Sequence, residues 1–163
     1  MQKDRSRILM IAYGAVIAAV YVVLTIVFQP ISFGEVQLRV AEALTILPMF
    51  TPAAIPGLFV GCLLANMLGG GIIVDVIFGS LATLIGAVFS YMLRNNRWLV
   101  PIPAVLSNTV IVPLVLRFGY GLTDIPYLLQ VVYIFAGEVA GCCILGELLA
   151  AVLLPRRDFI FRH

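Results

Sequence analysis

From Ile8 to Phe28 the chain runs for 21 residues without a charged side chain. At about 1.5 Å per residue, a helix of that length crosses a hydrocarbon layer about 30 Å thick. In lipid, each backbone N–H and C=O must be paired inside the protein, and a single segment satisfies that only as a helix. The run is too long for the core of a signal peptide and has no Ala-x-Ala cleavage site after it, so it is read as a retained first span.

The rest of the chain repeats the pattern. Apolar residues make up 63% of the 163 and charged residues 11%, against about 25% charged in an ordinary soluble domain. The expected fold is an all-α integral membrane protein of about six transmembrane helices. A single transmembrane domain would cover 1–163, with spans near 8–28, 39–50, 53–69, 72–93, 100–117 and 127–154. Gln29-Pro30 ends the first span; Pro48, Pro52 and Pro56 separate the second from the third, which stops at Gly69-Gly70-Gly71. Ser32 to Arg39, with partial alternation, is expected to form a short hairpin or an irregular loop at the surface. The second and third segments are short enough for a re-entrant pair, and either arrangement returns the chain to the same side.

Basic residues orient the bundle. With a cytoplasmic N-terminus, Lys3, Arg5, Arg7, Arg94, Arg97, Arg156, Arg157 and Arg162 lie inside, and Arg39 and Arg117 outside. Eight against two follows the positive-inside rule, so both termini are expected in the cytoplasm of a bacterial plasma membrane. The charge is thereby explained by topology, and no nucleic-acid partner is expected.

An ionisable group in hydrocarbon costs roughly 2.5 to 3.5 kcal/mol on translocon scales, so each one needs a partner, water or a ligand. In this topology Arg39 and Glu42 open the second segment from outside, Asn66 closes the third, and Asp75 opens the fourth. Asn108 sits near the middle of the fifth, and Glu138 lies about three turns inside the sixth. Six polar side chains from five segments thus gather in the outer half, which suits a pocket for a small, flat, hydrogen-bonding molecule. Gln37 joins them as a candidate contact, and Phe33, Phe78 and Tyr133 are candidate aromatic walls.

Each residue also has a structural reading. Asn66 can cap backbone at a helix end, Asp75 can complement a helix dipole, and Arg39 with Glu42 has the spacing of a private ion pair. Glu138 has no cation one turn away and is the first choice for a ligand contact. Glu147, deeper toward the cytoplasm, is left out of the pocket. Cys62, Cys142 and Cys143 lack the spacing of a metal site or disulfide framework and read as packing residues. No metal or cofactor is expected. Small residues recur four apart at Gly14, Ala15, Ala18 and Ala19, at Gly57 and Gly61, and at Gly137 and Gly141. Internal packing is the default reading of such patterns, and a docking face for another subunit is the alternative.

Several stretches resemble the substrate-binding S components of energy-coupling-factor vitamin transporters, and within them the QueT-type proteins linked to queuosine precursors. They are Ile31-Ser32-Phe33-Gly34 with Gln37 through Thr45, Phe50 through Leu58, Cys62 through Asn66, and Asp75 through Leu84. The resemblance implies a six-helix S-component bundle with an outer ligand site covered by the loop between the first two helices. It implies a partner module of one transmembrane scaffold subunit and two ATPases, docked through Ala15 and Ala19, and a 7-deazaguanine ligand such as the aminomethyl or cyano queuosine precursor or queuine. One carboxylate, with Glu138 the first choice, would accept the ring N–H and the exocyclic amine in parallel. Asp75 or Glu42 would suit an added ammonium, and Arg39, Asn66 or Asn108 would donate to the ring carbonyl.

The expected role is therefore a passive binding subunit and not an enzyme, consistent with a chain that has nothing resembling a phosphate-binding loop. An S component for another vitamin or purine-like solute is the nearest alternative. From other classes, an intramembrane enzyme using Glu42 and Glu138 lacks paired metal-ligand histidines, since the only histidine is His163. A small homo-oligomeric channel would use the small-residue faces.

Overall fold

A computed structural model describes residues 2–32 and 38–161, with all regular structure among them helical. The expected hairpin or loop at 32–39 falls largely on residues 33–37, so Phe33 and Gln37 lie outside the described residues. The chain begins with α1 (Gln2–Val27) and the short α2 (Gln29–Ser32), then forms a 3-10 helix at Val40–Met49. It continues through α3 (Ala54–Leu68), α4 (Ile73–Met92), and α5 (Ile102–Leu114), which ends in a π turn at Val115–Gly119. A last helical rod consists of α6 (Tyr127–Glu138), a π segment at Val139–Leu145, α7 (Gly146–Leu153) and the terminal α8 (Arg157–Ile160).

Among the described residues, four helical stretches are long and apolar enough to cross a membrane: Ser6–Val27, Ile73–Met92, Arg97–Gly119 and Tyr127–Ile160. Among the same residues, Val40–Met49 and Ala54–Leu68 are shorter apolar helices. A ten-residue 3-10 helix rises about 20 Å at its roughly 2.0 Å per residue, and fifteen α-helical residues rise about 22 Å. Neither reaches 30 Å, and the 3-10 helix has no need to. From Ala41 through Pro48 it is buried, packed against α1, α3, α4, α7 and the Val139–Leu145 turn. It is a central pillar sheathed by protein, where irregular backbone is tolerated at membrane depth.

Small residues set how closely the helices approach. A Cβ on Gly57 would stand 2.7 Å from the Gly14 carbonyl oxygen, and one on Gly61 would stand 2.8 Å from Tyr21 Cβ and 3.1 Å from Ala18 Cα. The α1 and α3 backbones therefore nearly touch along Gly14 and Ala18. Gly86 lets α4 meet α5 in the same way, with Ala104 Cα 2.8 Å from the position of its missing Cβ. Ala15 and Ala19 are turned outward and exposed. The small residues of α1 thus divide between an internal seam and an open face.

Basic residues gather at one end of the bundle. Arg94, Arg97 and Arg157 border a hollow of about 430 Å³ together with Met49, Phe50 and Phe161. Phe50 stacks on Phe161 with ring centroids 5.2 Å apart, and the Tyr13 hydroxyl donates to the Ile160 carbonyl at 2.6 Å. The first and last helices are tied together there. Glu147 pairs with Arg97 at this end, away from the carboxylates described below.

A buried polar cluster as the candidate functional site

Toward the opposite end, the starts of the 3-10 helix and α4, the end of α3 and the middles of α1, α5 and the last rod bring polar side chains inward. Arg39, Glu42, Asn66, Asp75, Asn108 and Glu138 are all 4% exposed or less. The six residues singled out in the sequence are thus all interior. They form two linked groups.

Two carboxyl groups organise the first. Glu42, in the opening turn of the 3-10 helix, accepts a hydrogen bond from the Tyr21 hydroxyl at 2.5 Å. Glu138 Oε2 accepts one from Asn108 Nδ2 at 3.0 Å and one from the Cys142 thiol at 3.4 Å. Carboxylate oxygens of Glu42 and Glu138 and the Cys142 sulfur lie within 4.8 Å of one another. The backbone explains the convergence. Glu138 ends α6 where the helix widens into a π segment, a deformation frequent at functional sites. Within it, Gly141 has no side chain where a Cβ would stand 2.9 Å from the Arg39 carbonyl oxygen and 3.4 Å from Glu42 Cβ. The pillar can press against the rod only because that position is glycine.

Asp75 organises the second group. Its Oδ2 accepts from the Tyr120 hydroxyl at 3.0 Å, and its Oδ1 lies 4.0 Å from Arg39 Nη2. Partial burial and the adjacent Asp75 carboxylate push the Tyr120 phenol above its ordinary range, so it remains a donor at neutral pH. Asn66 Nδ2 donates to the Asp75 backbone carbonyl at 3.3 Å and contacts Cys62 Sγ at 3.6 Å. Its side chain therefore pins the end of α3 to the start of α4, whereas the sequence reading has it cap the neighbouring backbone at its own helix end. Gly79 leaves room for this contact, since a Cβ there would stand 3.0 Å from Asn66 Nδ2.

Two aromatic candidates stand apart from this network. Phe78 is 49% exposed, on the outer surface of α4, and Tyr133 is partly buried on α6. Sequence reasoning missed Tyr21 and Tyr120 and treated Cys142 as filler. Tyr21 did carry a signal: a phenol inside an aliphatic span must place its hydroxyl on a partner. Glu42, Glu138 and Cys142 have the donor atoms of a cation site, yet both carboxylates already receive hydrogen bonds. That is the environment of groups built to accept N–H and O–H donors.

Helices long enough to span a bilayer, closed around three buried carboxyl groups, a guanidinium, amides and the Tyr21 phenol, define a multi-pass membrane protein with a polar interior. The chain belongs to the QueT transporter family, whose sequence profile matches residues 11–155. It is also similar to the queuosine precursor transporter QueT of Lactococcus lactis subsp. cremoris (strain MG1363), with 40% identity over 73 residues. That alignment covers 44% of this chain and 43% of the relative, less than half of either. No solved structure matches the chain.

Proposed function

We propose that this protein is the membrane-embedded substrate-binding subunit of an energy-coupling-factor importer, capturing a 7-deazaguanine precursor of queuosine at the outer face of the plasma membrane. The observation that carries this reading is the meeting of Glu42 and Glu138 within 4.8 Å, fully buried and held by Tyr21 and Asn108. Carboxylates are kept out of water at this cost when they have a polar ligand to receive. A deazaguanine brings a ring N–H and an exocyclic amine side by side, with its ring carbonyl next to that N–H. Glu42 and Glu138 accept from these N–H groups, and Arg39 or Asn66 donates to the carbonyl. Asp75 suits the ammonium of an aminomethyl substituent, Gln37 is a contact from the covering loop, and Phe78 and Tyr133 remain candidate walls in a ligand-bound arrangement.

In the same reading both termini are cytoplasmic, the basic end faces the cytoplasm, and the short Val40–Met49 and Ala54–Leu68 helices complete the six-segment bundle. ATP is hydrolysed by two partner ATPase subunits, and a transmembrane scaffold subunit docks on α1. The outward placement of Ala15 and Ala19 supports that docking face, because the internal seam uses Gly14 and Ala18 instead.

Binding to the purified chain in detergent, without ATP, tests the proposal. The aminomethyl and cyano deazaguanines or queuine should bind and raise the unfolding temperature. Failure of all three, with guanine also inert, removes the substrate assignment.

A further inference from the structure

Two buried acceptor atoms in the Glu42–Glu138 group are left open. Glu42 and Asn108 are each 1% exposed. Tyr21 occupies Glu42 Oε1, while Glu42 Oε2 and Asn108 Oδ1 have no hydrogen-bond partner among the described residues. The Asn108 amide also lies beside Glu42, but its aligned hydrogen bond goes to Glu138. Its orientation follows from chemistry: Glu138 Oε2 already serves as acceptor to the Cys142 thiol, so the amide turns its NH2 toward that oxygen and its carbonyl away. Buried acceptors without donors are rare in folded proteins, and each calls for an explanation.

We infer that Glu42 Oε2 and Asn108 Oδ1 form an acceptor pair that reads a ligand edge carrying two N–H donors, with Tyr21 as the positioning residue that holds Glu42 toward it. This rests on the deazaguanine reading and sharpens it. Specificity passes from Glu138 to Glu42, because Glu138 Oε2 is engaged by Asn108 and Cys142 and acts by turning the Asn108 carbonyl. The ligand class is then a heterocycle with a ring N–H next to an exocyclic amine. A base lacking that amine leaves one acceptor buried and unpaired, a mismatch that discriminates strongly.

The test compares 7-deazaguanine with 7-deazahypoxanthine, which lacks the 2-amino group, on the purified chain in detergent. The unsubstituted protein should prefer 7-deazaguanine by about a hundredfold or more. Glu42→Gln should bring the ratio close to one. Tyr21→Phe, which removes a single oxygen, should narrow it by about tenfold, and Glu138→Gln should weaken both bases together with the ratio retained. A ratio unchanged in both Glu42→Gln and Tyr21→Phe, or lost in Glu138→Gln, overturns the inference while leaving deazaguanine capture intact. Should Glu42→Gln fail to fold, the ratio in Tyr21→Phe decides alone. If neither base binds the unsubstituted protein, while the 7-substituted forms do not bind either, the deazaguanine reading falls and the acceptor pair with it.

Discussion

Tyr120 and Glu138 show how a single polar atom is managed inside an apolar bundle. Tyr120 holds Asp75 with one hydroxyl, so Tyr120→Phe should cost about 1 kcal/mol, the worth of one hydrogen bond, read as a lower melting temperature in detergent. The pH dependence has a definite sign. Because the folded-state value of this phenol is raised by burial and by Asp75, its contribution is fully present below about pH 10, the ordinary tyrosine value, and is lost as the pH rises through the folded one. Unfolding measured from neutral to strongly alkaline pH should therefore show a steeper alkaline loss in the unsubstituted protein than in Tyr120→Phe; parallel curves would remove the linkage. Glu138→Gln keeps the volume and abolishes the charge, so affinity for a deazaguanine should drop at least about tenfold, and an unchanged dissociation constant would take Glu138 out of the site.

At the level of elements, α1 has two small-residue faces with opposite expected behaviour. On the seam, Gly57→Leu drives a side chain into the Gly14 carbonyl, which a Cβ alone would approach to 2.7 Å. Overpacking of this kind costs about 1–3 kcal/mol or more, so folded yield and binding should both fall. On the open face, Ala15 and Ala19 are exposed, and Ala15→Trp or Ala19→Trp should abolish uptake in cells while binding by the isolated chain is kept. Loss of binding in those variants would mean that the face packs internally after all. The Val139–Leu145 turn gives a third contrast. Gly141→Val would push the pillar away from the rod, because a Cβ there already stands 2.9 Å from the Arg39 carbonyl oxygen, and so should separate Glu42 from Glu138 and weaken binding.

On the scale of the molecule, the bundle is polarised, with arginines and stacked phenylalanines at one end and the carboxyl cluster toward the other. If the basic end faces the cytoplasm, a single cysteine at Asn95 in a background free of the three native cysteines should react with an impermeant maleimide only after the membrane is opened. One at Asp124, between α5 and α6, should react in intact cells. Labelling in the reverse pattern would invert the proposed orientation and place the binding site on the wrong side for capture.

Much of this was legible in the chain itself. An uncharged run of 21 residues and its successors dictate helices in lipid because unpaired backbone cannot exist there. The rarity of polar residues in such runs marked Arg39, Glu42, Asn66, Asp75, Asn108 and Glu138 as interior, since each is too costly to face acyl chains. Partnership was beyond its reach. That Tyr21 serves Glu42, that Asn108 turns toward Glu138, that Tyr120 reaches Asp75 and that Phe78 faces outward depend on helix rotation and on close approach. These are set by where Gly57, Gly61, Gly79 and Gly141 let backbones meet and by a π turn whose extra residue re-aims everything after Glu138. Polarity is a property of single residues and can be read one at a time, whereas a hydrogen bond spanning 21, 30 or 45 positions exists only once the helices have packed.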